Sequence, residues 1–192
     1  MFLAVLLVGA SAAAASPALA AKDWAVNGAP LAPGQEVAVK FASTSPIELS
    51  VPAQGIQIVC QRFKGKGTLV GGARGTGELI SAKLAKCAEP ATGAKVKIKL
   101  KPVPIETDEE EPVGAEPTIE WALLGNCFRK GHIEEILTGI VDSFGPNPGE
   151  ANAVEFPAVS LPATTLTLGG SPAQFVGKGV FTLPKHATLS QL

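Results

Sequence analysis

Period-two alternation is the feature that most constrains this chain. In "TGAKVKIKLKP", Lys95, Lys97, Lys99 and Lys101 alternate with Val96, Ile98 and Leu100. A helix would scatter these lysines around its axis. An extended strand puts all four ammonium groups on one face and the apolar side chains on the other. The pattern recurs in "EVAVKF" (Val37, Val39, Phe41), "PIELSV" (Ile47, Leu49, Val51) and "GIQIVCQ" (Ile56, Ile58, Cys60). "TIEWALL" repeats it with Ile119, Trp121 and Leu123, and "AVEFPAVSL", "TTLTLGG" and "AQFVGKGVFTL" read as three further strands. With 21 Gly and 16 Pro punctuating these runs, and no alternation of strand with helix, the prediction is all-β. The expected architecture is an antiparallel β-sandwich or barrel-like domain with short strands and Gly/Pro turns.

Turn chemistry adds detail. Asn27-Gly28 between two short apolar arms signals a type I′ hairpin, with Pro30 holding the second arm at a sheet edge. Six glycines between Gly65 and Gly77 predict a hairpin region with bulges or close backbone approach. Two segments stay open between helix and strand. In "ELISAKLAKC" (78–87), Leu79, Ile80, Lys83, Leu84 and Cys87 fit a helix face, whereas Ile80, Ala82 and Leu84 fit a strand. In "HIEEILTGIV" (132–141), Ile133, Ile136, Leu137, Ile140 and Val141 follow helical spacing.

The N-terminus reads "MFLAVLLVGASAAAASPALAAKDW", an apolar run ending in the small-x-small site Ala18-Leu19-Ala20. Such a run is too short to span a membrane and has the form of a secretory signal peptide over residues 1–20. Residues 21–192 are then expected as a single secreted, extracellular β-domain, with no transmembrane segment. In an oxidising compartment three cysteines imply one disulfide and one leftover thiol. Cys60 and Cys87 both follow apolar strand-like runs and are the expected pair, leaving Cys127 free.

Overall charge is near zero, with 16 Lys and Arg against 17 Asp and Glu, but its layout is uneven. From Arg62 to Lys101 ten basic residues face only Glu78 and Glu89. From Pro102 to Glu155 twelve acidic residues face only Arg129 and Lys130. An acidic, Pro-punctuated loop is expected over 105–117. Its "ETDEEE" (Asp108, Glu109, Glu110, Glu111) would neutralise the lysines within the molecule, the default for an edge strand that uses Lys to discourage edge pairing. Two other uses compete with it: Lys95, Lys97, Lys99 and Lys101 as a weak surface for an anionic cell-envelope polymer, or self-association of basic face with acidic loop. Nucleic acid is not expected, since the chain has no Tyr and only two Trp, and no aromatic residue interleaves with the lysines.

Chemistry-bearing motifs are sparse. There is no G-x-S-x-G elbow and no Cys/His cluster, so no catalytic residue, metal site or cofactor is assigned. An alternative reading, a secreted hydrolase, would have to work from Cys127 and His132 in "NCFRKGH". His132 and Glu135 could share a face only on a helix, and the acidic run lacks the alternating Asx and Gly ligands of a calcium loop.

The ordered landmarks are Trp24, Asn27, Gly28 and Leu31 after the leader, then Ile58 and Cys60, a Gly-rich stretch to Cys87, Cys127, and "LGGSPAQFVG" from Leu168 to Gly177. This set resembles a group of uncharacterised secreted proteins from high-GC, soil-type actinobacteria. The resemblance implies an all-β secreted domain, with both open segments as strands. It brings no functional site. The expectation is therefore a secreted, non-catalytic extracellular or cell-surface protein, with a structural, self-associating envelope component as a further alternative.

Overall fold

The computed structural model describes residues 23–72, 74–107, 118–130, 133–146, 152–159, 161 and 164–191. The leader and most of the acidic loop, 108–117, fall outside these residues. The strands are β1 (Trp24–Val26), β2 (Ala29–Pro30), β3 (Glu36–Ser43), β4 (Ile47–Val51), β5 (Ile56–Val70), β6 (Thr76–Ala88), β7 (Lys95–Leu100) and β8 (Val103–Thr107). They continue with β9 (Thr118–Arg129), β10 (Ile133–Phe144), β11 (Ala153–Phe156), β12 (Thr167–Leu168), β13 (Ser171–Pro172), β14 (Gln174–Thr182) and β15 (Leu189–Gln191).

All pairings are antiparallel, and they close into a ring. β3 pairs with β5, β5 with β6, β6 with β7, and β7 with β9. β9 pairs with β10, β10 with β11, β11 with β14, and β14 returns to β3. β4 extends β3's place in the ring, bonding β5 and β14, and β8 extends β7's, bonding β6 and β9. The fold is thus the barrel-like form of the expected all-β class. Closure matters because a strand paired on both sides exposes no unpaired backbone groups.

Inward residues of every second position meet inside the ring. Phe41 lies 5.0 Å from Phe63, 5.2 Å from Trp121 and 5.5 Å from Phe181, ring centre to ring centre. Trp121 stacks on Phe181 at 5.7 Å, and its indole N–H donates to the Ser143 hydroxyl at 2.8 Å. Burying each such ring contributes on the order of 2–3 kcal/mol, so the aromatic cluster is the main apolar driver of closure. A small second sheet, β15–β1–β2, joins the two ends of the described chain. The Asp23 carboxylate anchors it by accepting the Gly72 amide, while the Trp24 indole donates to the Thr76 carbonyl at 3.0 Å. Asn27 (φ 53°) and Gly28 (φ 78°) both sit in the left-handed region, as a type I′ turn between β1 and β2 requires.

The Cys60–Cys87 disulfide joins directly opposed residues of β5 and β6. In a loop-entropy model its 27-residue separation is worth about 3.5 kcal/mol. Cys127 is the free, buried thiol.

Both open segments are strands. Residues 133–144 pair with β9 along their whole length, and this ladder overrides the helical spacing, leaving Ile136 58% exposed beside the buried Leu137. In β6 neither pattern holds throughout: Leu79 and Leu84 point inward, while Ile80 is 65% exposed. A bulge causes this, since the register slips between Lys66 and Thr68 and gives β6 one extra residue there. Gly67 permits it, because a Cβ at that position would overlap the Glu78 carbonyl.

Three expectations need correction. The strands are not uniformly short: β5 runs for 15 residues and β6 for 13, bending through glycines rather than breaking at them. The acidic loop does not begin at 105, because Val103, Ile105 and Thr107 are buried in β8 while Glu106 faces out. Flanking prolines and carboxylates hid that alternation. Finally, β7 is not an edge strand, being bonded to β6 on one side and β9 on the other.

Candidate functional site

β7 carries out its alternation in full. Val96 and Ile98 are buried, and Lys95, Lys97 and Lys99, with Lys101 just beyond, are exposed. Alternate residues on a strand repeat every ~6.8 Å, so the four ammonium groups form a ladder about 20 Å long. β7 takes its place in the ring between β6, which it meets at Lys95 and Val96, and β9, which it meets from Lys97 to Leu100, so the ladder lies on an outer face of the barrel and not along a free edge strand.

Neighbouring strands widen the cationic surface. β5 presents Arg62, Lys64 and Lys66, β6 presents Lys83 and Lys86, and β3 presents Lys40, all exposed. Two pairs are directly opposed: Lys40 with Lys66, and Lys64 with Lys83. Like charges facing each other across a ladder destabilise it. No ion pair among the described residues relieves them. The ion pairs among the described residues are Arg129–Glu89 at 2.9 Å, Arg129–Glu135 at 3.3 Å and Lys178–Glu155 at 2.7 Å, and none includes a residue of this face. The expected internal counterpart, Asp108 to Glu111, lies outside the described residues.

An aromatic ring also reaches the ladder. Phe128 on β9 is opposite Lys97, and the Lys99 ammonium sits 5.2 Å from its ring centre, a cation–π contact. Alternation along "KVKIKLK" could not reveal this neighbour, since Phe128 is 29 positions from Lys99 in sequence and arrives through strand pairing. The opposed lysines were equally hidden, although "FKGKG" places Lys64 and Lys66 on one face by the same period of two.

Cys127, on β9, is fully enclosed. Burial, reinforced by the Glu135 charge, pushes its thiol up to about 11. A thiolate nucleophile needs the opposite environment, with access and a lowered pKa. Its notional partner His132 lies outside the described residues, and Glu135 is held by Arg129. His186 is exposed on a turn after β14.

Among the described residues, no helix is long and apolar enough to cross a membrane. No family model, curated protein or solved structure matches the chain.

Proposed function

We propose that this chain is a non-catalytic extracellular or cell-surface protein whose basic sheet face holds an anionic envelope polymer, such as a teichoic acid or an acidic polysaccharide. Lys95, Lys97, Lys99 and Lys101 make the principal contacts. The observation that carries this reading is the ladder itself, four exposed ammonium groups in one line with no carboxylate within ion-pair reach among the described residues. Several weak, long-range attractions to a flexible polyanion suit such a surface better than one tight pocket would. Export is supported by the leader-like residues 1–20 and by a disulfide, which persists in oxidising compartments. The resemblance to secreted actinobacterial proteins points the same way. A hydrolase built on Cys127 is disfavoured by that thiol's enclosure.

Co-sedimentation with isolated cell walls at 50 and 500 mM salt provides the test. With roughly 0.7 of a counterion released per contact, four contacts should weaken binding by several hundred-fold over that tenfold range, an estimate of ~10^2.8. Replacing all four lysines by Gln should remove retention and leave the far-ultraviolet circular dichroism unchanged. Retention that ignores salt, or survives the quadruple replacement, would end the proposal. Salt-dependent sedimentation of the protein alone would instead favour the self-associating envelope component.

A further inference from the structure

A trough runs along the outer side of β3, where that strand meets β5 and the chain leaving β14. One section, about 420 Å³, is lined by Ala38, Leu183 and Pro184, with Lys40, Lys66 and Ile80 at its end. A second, about 370 Å³, shares Ala38, Leu183 and Pro184 with the first and continues past Val37 to Glu36 and Lys185, so the section away from Lys40 and Lys66 carries one charge of each sign. Each is within the size range of small-molecule sites.

Four independent features converge on this trough. Ala38 is the small residue between Glu36 and Lys40 on the outward side of β3, and its missing bulk leaves the floor open. Lys40 and Lys66 are directly opposed and neither forms an ion pair among the described residues, so an anion placed between them would turn a repulsion into two charge-assisted hydrogen bonds. The bulge opposite Gly67 turns Ile80 outward, giving the charged end an apolar wall that a regular strand would have lost to the core. The far wall includes Lys185 (φ 56°), which with the adjoining His186 (φ 54°) makes two consecutive left-handed residues, each costing about 1 kcal/mol, in a turn that Pro184 opens.

We propose that this trough binds one amphiphilic aliphatic anion, an unbranched acyl chain with a carboxylate head. The head lies between Lys40 and Lys66, and the chain lies over Ala38, Leu183 and Pro184. From Lys40 to Glu36 the strand spans about 14 Å, the reach of a medium-length acyl chain. The volume accommodates a single chain, so the occupant is a free monomer and not a bilayer. This site uses none of the four β7 lysines, the principal contacts of the polymer-binding reading, although Lys40 and Lys66 lie on the same basic face.

Isothermal titration of the full exported chain with dodecanoate below its micelle concentration tests the proposal, with dodecanol and dodecyltrimethylammonium as comparisons. One dodecanoate should bind per chain, at least tenfold more tightly than either comparison. K40Q/K66Q should weaken it at least tenfold, Ala38→Trp should block it by filling the floor, and K97Q/K99Q should leave it unchanged. Circular dichroism checks that each variant folds; if A38W does not, K40Q/K66Q decides. Equal binding of the cationic amphiphile, or dodecanoate binding unaffected by K40Q/K66Q, overturns the proposal. So does retention on phosphatidylglycerol vesicles without 1:1 dodecanoate binding, which would indicate a membrane surface.

Discussion

Replacing Lys64 and Lys66 together by Gln should make this protein more stable. Lys64 faces Lys83 and Lys66 faces Lys40 in the β5 ladders, so the double variant removes two like-charge oppositions and no ion pair among the described residues. Cβ atoms at such positions lie about 5 Å apart, but long lysine stems let the ammonium groups splay to ~8 Å. At that distance in water each pair repels by ~0.5 kcal/mol before screening. At 10 mM salt, with a Debye length near 30 Å, ~0.4 kcal/mol per pair survives, and at 0.5 M less than ~0.1. The double variant should therefore gain about 0.8 kcal/mol at low salt and almost nothing at high salt. Urea unfolding followed by circular dichroism at 10 and 500 mM sodium chloride resolves that difference. Lys101→Gln serves as the control, because the Lys101 amide bonds Leu124 on β9 and no lysine is opposed to it. A gain of equal size at both salt concentrations, or a loss at low salt, would show that these side chains act through packing and refute the electrostatic account.

Two further predictions concern the interior. Cys127 should resist iodoacetamide in the folded protein at pH 8 and react fully once unfolded. Its thiol titrates near 11 when folded against 9.0 when free, so the unfolded state loses its proton first and stability should fall by about 2 kcal/mol as pH rises from 9 to 11. Cys127→Ala should abolish that part of the decline, and a flat wild-type profile would contradict the burial argument. Gly67→Ala should cost more than ~2 kcal/mol, because the new methyl group collides with the Glu78 backbone and the bulge must rearrange. Ser81→Ala, an exposed neighbour, should stay within ~0.5 kcal/mol in the same melt, and equal effects would mean that the bulge is not rigid.

What the sequence by itself determined is whatever a period of two encodes. Val96 and Ile98 face the core and the β7 lysines face water because alternate side chains on any strand point to opposite sides. Cys60 and Cys87 were legible as a pair for a related reason: each ends an apolar run on neighbouring hairpin strands, which bring the two face to face. The Asn27-Gly28 turn was legible because few residues tolerate two successive left-handed positions. Only the tertiary structure decided which strands are neighbours, since the backbone ladder is nearly indifferent to sequence and partners are chosen by closure around Trp121 and the phenylalanines. Closure moved β7 from an expected edge to the interior of the sheet and brought Phe128 to Lys99. It opposed Lys40 to Lys66 and Lys64 to Lys83. The bulge at Gly67 then turned Ile80 to the surface, a change of face that one extra residue imposes and that no local alternation could announce.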